Sequence, residues 1–388
     1  MKNNPLKIVY LIPGGLHNPG GMERITVLKA NYLSEKEDYD VSVITTEQMG
    51  RPVFFPVSDK VHLIHLDIGI HVNFGKETYL EKCISRFRKT REYVRELKKI
   101  LNQIRPDITV SLLGLDIEFL NNFKDSSIKI GELHFPSNFR QLMARKLSNA
   151  FIPNLIAKIR TANFKKACRK LTRLVVLTEE EKLSWKGASN IEVIPNALSF
   201  YPETISTCES KKAIAVGRLV YEKGYDTLIE IWKTIYEKHP DWELNIYGEG
   251  NEEDNLRCLI QKEGLDTVVK IHLPEKDIYK QYIEHSLFLF PSRYLEALPM
   301  VLIEAMSCGL PIVAFDAPCG PKDVIADAQN GFLVQAGDTK TMTDKINTLI
   351  ESEELRKSMG TKAHEMSLNY SEEKIMKQWL NLFKMMQK

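Results

Sequence analysis

Two glutamates, Glu296 and Glu304, lie eight residues apart in the stretch EALPMVLIEAMSCGLP. On one continuous helix they would be ~12 Å apart along the axis and would point in different directions. Pro299, however, suits the first turn of a helix, and Gly309 suits the residue after a helix end. The sequence therefore predicts a helix from about Pro299 to Cys308, with Glu296 in the preceding loop and Glu304 one turn inside.

A helix that begins in this way can bind an anion, because its first N–H groups and its dipole point out into the loop. Two carboxylates beside such a site indicate a ligand that carries both hydroxyl groups and phosphates. The alternative is that Glu296 is a solvated loop acid and Glu304 an ordinary charge on the helix surface, which is the usual case for a random pair.

Two basic residues lie in the loop GRLVYEKGYDTL, which follows another apolar run. Arg218 ends the predicted strand, and Lys223 comes five residues later, before Gly224 and the next predicted helix. The planar fork of an arginine and the point charge of a lysine could together clamp a diphosphate at the mouth of a cleft. Solvated loop cations are the alternative.

A glycine-rich stretch, IPGGLHNPGGMER, follows the first predicted strand. Gly20 and Gly21 precede a helix that we expect to start near Glu23, and glycine lets the backbone approach a ligand closely. The stretch is neither Gly-x-Gly-x-x-Gly nor a P-loop motif, which disfavours a dinucleotide site. A plain glycine-rich turn is the alternative.

Apolar, β-branched runs alternate with helical patterns along the chain, which predicts an α/β protein with parallel sheets covered by helices. Strands are expected in the first half at residues 7–13, 40–46, 107–113, 128–134, 173–178 and 190–195, with a helix at 91–104. In the second half they are expected at residues 213–219, 243–248, 269–273, 287–292, 311–316 and 331–335. The polar residues 198–212 between the halves are interpreted as a linker. Two doubly wound domains place the binding loops after their strands at a common cleft.

Together, GGMER, GRLVYEKG, EALPMVLIEAMSCGLP and NGFLV resemble the retaining glycosyltransferases of family 4, in the right order over nearly the whole chain. The glutamate motif is the most specific, and DAPCGPKDVI is similar to a segment of members that assemble bacterial surface polysaccharide. The resemblance implies a GT-B fold, in which two Rossmann-like domains face a central cleft. The expected domains are an acceptor-side domain at 1–198, a nucleotide-sugar domain at 199–370, and a last helix at 371–388 that returns to the first domain.

The resemblance also implies roles for the charged residues. The residue that matches Glu304 binds the ribose hydroxyls of a sugar nucleotide, and the one that matches Glu296 lies beside the donor sugar. Residues that match Arg218 and Lys223 hold the diphosphate. A histidine that matches His134 reaches the donor sugar from the first domain.

We therefore assign catalytic roles to four residues, which are His134, Glu296, Arg218 and Lys223. We assign substrate binding, largely through backbone groups, to Gly20, Gly21, Leu298, Met300, Val301, Glu304 and Leu273. Leu273 would lie near the base of the nucleotide. Many relatives have glycine at the positions of Leu273 and Ala297 and glutamate at the position of Asp323. These differences make the sugar nucleotide that this chain uses harder to assign. Glu132, on the same strand face as His134, is a weaker candidate.

The implied reaction moves a hexosyl unit from a nucleotide sugar, expected to be a UDP-sugar, to a hydroxyl of a polysaccharide or lipid-linked oligosaccharide. A phosphorylase or sugar-phosphate synthase on the same fold stays open, as does a non-catalytic sugar-nucleotide-binding subunit. No cofactor and no metal are expected, because the two cations would take a metal's place. Asp38-Tyr39-Asp40 has the Asp-x-Asp form of a metal site, but it precedes a strand and is predicted to be a turn.

Composition limits the class of protein. With 388 residues, 43% hydrophobic and 27% charged, the chain is expected to form two globular domains. Six cysteines occur without a Cys-x-x-Cys pair, which argues against a zinc site or a disulfide framework and favours reduced thiols. Neither a signal peptide nor a run of about 20 uncharged apolar residues is visible. We expect a cytoplasmic protein whose membrane contact, if any, is peripheral.

A segment without any acid, residues 134–177, carries ten basic residues, and we call it the basic segment: Arg140, Arg145, Lys146, Lys158, Arg160, Lys165, Lys166, Arg169, Lys170 and Arg173. Apolar residues recur in it at helical spacing: Phe139, Leu142, Met143, Leu147, Ala150 and Phe151. A second basic run lies at 86–99. Nucleic acid is disfavoured because no recognised module is present. An anionic surface at the inner face of the membrane fits the charge and the apolar stripe. A core-packed helix with a solvated basic face fits equally well.

Overall fold

The computed structural model describes residues 4–18, 20–69, 79–147, 151–294 and 296–387. The chain divides into two compact units, one made of residues 1–195 with 376–388 and the other of residues 196–375. Each unit is a parallel sheet covered by helices. The α/β class that the alternating pattern predicts is therefore confirmed.

The first unit contains, among the described residues, a sheet of seven strands in the order β3-β2-β1-β4-β5-β6-β7. The strands are β1 (Leu6–Ile12), β2 (Tyr39–Thr45), β3 (His62–His65), β4 (Ile108–Ser111), β5 (Ile128–Leu133), β6 (Arg173–Val176) and β7 (Ile191–Val193). The helices are α1 (Gly21–Ser34), α2 (Tyr79–Ile104), α3 (Phe139–Leu147), α4 (Phe151–Cys168) and α5 (Glu179–Leu183). Every pair of neighbouring strands is parallel.

The first core forms because β1 is apolar on both faces and helices cover each of them. Val9 and Leu11 pack in one cluster with Tyr93, Leu97 and Leu101, which follow the four-residue spacing of one face of α2. Six predicted strands are confirmed, but β3 was not predicted. It is the edge strand beside β2, and because its ends are exposed it shows no apolar alternation.

The second unit contains, in its described part, a sheet of six strands in the order β10-β9-β8-β11-β12-β13. The strands are β8 (Lys212–Val216), β9 (Glu243–Tyr247), β10 (Val269–His272), β11 (Leu287–Phe290), β12 (Ile312–Asp316) and β13 (Gly331–Gln335). The helices are α6 (Tyr225–Lys238), α7 (Glu253–Lys262), α8 (Ile278–Ile283), α9 (Met300–Ser307), α10 (Pro321–Val324), α11 (Thr339–Glu351), α12 (Glu353–Ser367) and α13 (Glu372–Met386), whose residues from Met376 onward belong to the first unit.

Because these strands are parallel, the loops after β8, β11 and β12 leave the same edge of the sheet. The strands that carry these loops are held by the core of the second unit, where the apolar face of α6 packs on the sheet through Leu228, Trp232 and Ile235. Among the described residues, no helix is both long enough and apolar enough to cross a bilayer.

The interpretation of residues 198–212 as a linker is wrong. Ser206 donates its N–H to the carbonyl of Cys308 at 2.8 Å, and Arg356 Nε donates to the carbonyl of Cys208 at 3.0 Å. Cys208 and Leu198 are buried. These residues have the polar composition of a linker, but their polar groups form hydrogen bonds with the end of α9 and with α12 in the second unit.

Candidate active site

The loop between β11 and α9 holds the first glutamate. Glu296 is buried, and its Oε1 accepts hydrogen bonds from Lys223 Nζ at 2.7 Å and from the Ser292 hydroxyl. The ion pair links the loop after β8 to the loop after β11. Glu296 is therefore no solvated loop acid, and a carboxylate balances the charge of Lys223.

Helix α9 has the bounds that its proline and glycine predict. It begins directly after Pro299 and ends in a Schellman motif at Gly309, whose φ is 76°. The N–H groups of Met300 and Val301 have no acceptor within the helix, since they belong to its first turn. Leu298, just ahead of them, is buried. This helix end has the features of an anion site, and its use as one stays a prediction.

The second glutamate lies in the second turn of α9. Glu304 is only 6% exposed, and the Tyr282 hydroxyl donates to its Oε2 at 3.3 Å. Burial, and then the negative charge of Glu304, raise the pKa of Tyr282 well above its ordinary value. An ordinary charge on the helix surface is thereby excluded, because Glu304 is turned inward onto a neutral donor.

Glycines let the loops of this edge approach one another. The φ of Gly224 is 71°, and a Cβ there would lie 2.2 Å from the carbonyl oxygen of Pro291. The φ of Gly320 is 111°, and a Cβ there would lie 2.5 Å from Pro299 Cδ. Both positions need glycine for conformation and for space. The loops after β8 and β12 are in this way packed against the segment that leads into α9.

Gly224→Ala should destabilise the protein by about 1–3 kcal/mol more than Gly264→Ala. Both glycines have a left-handed φ, 71° and 67°, but a Cβ at Gly264 would meet open space. Gly264→Ala therefore costs only the left-handed strain of about 1–2 kcal/mol. Urea unfolding of the two variants measures the difference, and equal losses would show that Gly224 is not needed for the close approach.

The loop after β8 carries the two predicted cations. Arg218 is exposed and makes no ion pair with any residue in the described ranges, whereas Lys223 pairs with Glu296. Arg293 anchors this loop, because its Nη2 donates to Asp226 Oδ2 at 2.7 Å and its Nη1 donates to the Tyr221 carbonyl at 2.8 Å. The edge thus presents one cation to solvent and holds the other beside a carboxylate.

Leu273 does not lie with the charged residues of the loops after β8 and β11. It follows β10, two strands away from β8 in the sheet, and is 70% exposed. The rings of Tyr247 and His272 stack beside it with centroids 4.5 Å apart. No described contact joins Leu273 to Glu296 or Glu304, and its place near a base stays a prediction.

In the first unit, His134 follows β5 and lies against a buried ion pair. Both carboxylate oxygens of Glu132 accept hydrogen bonds from Lys29 Nζ, and Glu132 Oε1 lies 3.0 Å from His134 Nε2. Burial alone would raise the pKa of Glu132, but the charges and hydrogen bonds of Lys29 and His134 lower it to about 2. Glu132 is thus an ionised group that lies directly beside the His134 ring.

Gly20 and Gly21 precede and begin α1. The Glu23 carboxylate of the first turn folds back over Gly20, since its Oε2 lies 2.2 Å from where a Cβ on Gly20 would be, whereas a Cβ on Gly21 would meet open space. A carboxylate at this helix end disfavours a second anion there. A role of these glycines in binding remains a prediction, and Asp40 of the Asp-x-Asp stretch lies at the start of β2, the end remote from these loops.

The sequence patterns did not predict several residues that contact Glu296, Glu304 and Glu132. Tyr282 and Ser292, which bond the two glutamates, belong to no motif that the sequence analysis used. Lys29 carried a signal, because it lies between Ile25 and Leu33 on the four-residue apolar spacing of α1, and all three are buried. A lysine on a core face needs a buried acid.

The comparisons with known proteins agree on a family. The family described as "Glycosyl transferases group 1" matches residues 204–366. A glycosyltransferase of Haemophilus influenzae is 31% identical over 364 residues, which cover 93% of this chain and 95% of the relative. The chain belongs to the group 1 glycosyl transferases. Another relative of this glycosyltransferase, the amylovoran biosynthesis glycosyltransferase AmsD of Erwinia amylovora, is 30% identical over 383 residues, covering 96% and 98% of the two chains.

A solved structure supports the fold of this glycosyltransferase. Staphylococcus aureus TarM, crystallised with UDP among its ligands, matches with a TM-score of 0.75 at 19% identity and covers 97% of this chain and 99% of its own. The predicted GT-B fold, with two Rossmann-like α/β units, is confirmed. Membership of family 4 in particular stays a prediction.

Proposed function

We propose that this glycosyltransferase moves one hexosyl unit from a UDP-sugar to a hydroxyl of a polysaccharide or lipid-linked oligosaccharide, with retention, as family 4 members do. The observation that carries the proposal is Glu304, buried in the helix that starts beside the Lys223–Glu296 pair. AmsD is named for the biosynthesis of amylovoran, and TarM was crystallised with UDP. The UDP of the TarM crystal supports a UDP-sugar donor, and the name of AmsD supports a glycosyl transfer in polymer biosynthesis.

In the proposed reaction the bond between the sugar C1 and the β-phosphate oxygen breaks, and the acceptor oxygen bonds to C1 on the same face. The acceptor proton passes to the leaving phosphate. Arg218, Lys223 and the first N–H groups of α9 stabilise the negative charge that develops on that phosphate. These groups make a metal cofactor unnecessary, so excess EDTA should leave the rate unchanged.

Release of UDP from a panel of UDP-sugars tests this function, with an oligosaccharide or inorganic phosphate as acceptor. Transfer to the saccharide with the donor's anomeric configuration, measured by NMR, is the expected result. Transfer to phosphate would indicate a phosphorylase instead. Donor binding without turnover would indicate a non-catalytic subunit.

Glu304→Ala should weaken UDP binding by about 1.5–3 kcal/mol, because the ribose hydroxyls lose a charged acceptor. Calorimetry with UDP measures this loss. Glu351→Ala removes an acid that is 64% exposed on α11 of the same unit and should not change the affinity. Unchanged affinity in a folded Glu304→Ala variant would reject the ribose role.

A further inference from the structure

Helix α4 is apolar on two opposite faces. One face is buried in the first unit, through Ala157, Thr161, Phe164 and Cys168. The other carries four aliphatic side chains that are each between 43% and 68% exposed: Ile152, Leu155, Ile156 and Ile159. At 100° per residue these four lie opposite the buried four. Single exposed apolar residues are ordinary, but four aliphatic side chains that share one exposed helix face mark an interaction surface.

Cations flank the exposed aliphatic face. Lys158 and Arg160 are exposed on either side of it, and Lys166 continues the same face towards the end of the helix. Every charged residue of the basic segment is a cation. The face combines aliphatic insertion with positive charge, which is the pattern of a helix that lies in the plane of an anionic lipid surface.

A second copy of this chain fits the face less well. A twofold-symmetric contact would place Lys158 and Arg160 of one copy against the same cations of the other, and the basic segment offers no acid to balance them. An anionic lipid surface complements both the charge and the aliphatic side chains. We propose that the exposed face of α4 docks this protein on anionic lipid bilayers. The proposal goes beyond the transfer reaction and does not depend on it.

The cations of this face, Lys158 and Arg160, belong to the basic segment, but its aliphatic side chains are not those of the apolar stripe that the sequence pattern named. The Arg140 guanidinium of α3 packs 4.9 Å over the Phe164 ring, and α3 packs against α4. Burial, with the charges of Arg160 and Arg86 nearby, lowers the pKa of Arg140. The side chains of Arg145 and Lys146, also favoured by the pattern, and residue Ala150 lie outside the described part of the chain. Of the residues that the structure describes in the basic segment, the exposed aliphatic side chains of α4 carry the docking face.

Sedimentation of the full chain with vesicles tests the proposal. Wild type should sediment with vesicles of phosphatidylglycerol and phosphatidylcholine at low salt, should be released as salt rises, and should not bind phosphatidylcholine alone. Serine at Ile152, Leu155, Ile156 and Ile159 should lower the partition coefficient by more than about 100-fold, since four aliphatic side chains no longer insert. Lys158→Gln with Arg160→Gln should lower it roughly 25-fold, about fivefold for each cation.

Matched controls come from exposed residues elsewhere. Leu183→Ser on α5, 74% exposed, and Lys262→Gln on α7, 77% exposed, should bind vesicles as wild type does. Ile156→Trp gives a readout that does not require the serine variant to fold. Its emission should shift to the blue on anionic vesicles and be quenched by brominated lipid.

Three outcomes would overturn the proposal. If the wild-type protein does not sediment with anionic vesicles, it has no surface that docks on lipid. Serine variants that bind as wild type does place the surface elsewhere. A wild-type dimer that the serine substitutions convert to monomer, measured by light scattering, would show that a second copy covers the face.

Discussion

Arg218→Ala is expected to lower the transfer rate by about 10²–10³-fold, the usual loss when one donor to a developing oxyanion is removed. The side chain is exposed in the loop after β8 and makes no ion pair with a described residue, so its removal should change the free energy of unfolding by less than about 0.5 kcal/mol. A large kinetic effect with no stability effect indicates a group that acts on the ligand. Steady-state rates of UDP release, beside thermal melts, measure both.

Arg257→Ala is the matched control for Arg218→Ala. Arg257 lies on α7 of the same unit, is about half exposed and pairs with Glu253 four residues earlier, a contact worth about 0.5 kcal/mol. Its removal should leave the transfer rate unchanged. If Arg218→Ala retains the wild-type rate, the diphosphate clamp is wrong.

Lys29→Met is expected to destabilise the protein by about 3–5 kcal/mol, because the buried Glu132 carboxylate would lose its ammonium partner. Both side chains are 1% exposed. The ammonium group also lies 4.5 Å over the Trp379 ring of α13, so the substitution removes a cation–π contact as well. Urea unfolding measures the loss. This loss is comparable to the total free energy of unfolding of many domains, so partial unfolding at 37 °C is expected.

The double variant Lys29→Met with Glu132→Leu separates charge from packing. Replacing both partners of a buried ion pair by apolar residues is often neutral, so this variant should recover most of the lost stability. Lys60→Met breaks the pair with Glu35, in which both side chains are more than half exposed, and should have little effect on stability because water screens the pair. A double variant no more stable than Lys29→Met would show that the ion pair is not the cause.

The stability that Glu132 contributes should also depend on pH. Its pKa is lowered to about 2 from an ordinary value of 4.5. A carboxyl group with a lowered pKa contributes stability that is present above the unfolded pKa and is lost as the pH falls through the folded one. The contribution should therefore decline below about pH 4.5 and be absent below about pH 2.

Much of the fold follows from local sequence because its strands are buried. β1, LKIVYLI, is apolar at nearly every position, and a central parallel strand must be so, since helices cover both faces. The predicted helix at 91–104 omitted the first turns of α2, because these turns lack a clear apolar pattern. Residues 79–90 carry many charges and little apolar spacing, and among the described side chains of α2 the buried core residues begin at Tyr93.

The site was predictable where backbone chemistry constrains it. Pro299 and Gly309 define α9 from the sequence alone, and this definition separates Glu296 from Glu304. The bonds that hold the two glutamates were not predictable. Tyr282 and Glu304 are 22 residues apart, and Lys223 and Glu296 are 73 apart. Which side chains meet across such distances depends on strand order and helix rotation, which no local pattern in one sequence reports.

The most direct test of the donor site compares UDP with uridine by calorimetry. Both ligands carry the ribose, and only UDP carries the diphosphate. Arg218→Ala should weaken UDP binding and leave uridine binding unchanged, whereas Glu304→Ala should weaken both ligands by the same factor. If Arg218→Ala weakens uridine as much as UDP, or if Glu304→Ala weakens neither, the assignment of diphosphate and ribose to these residues is contradicted.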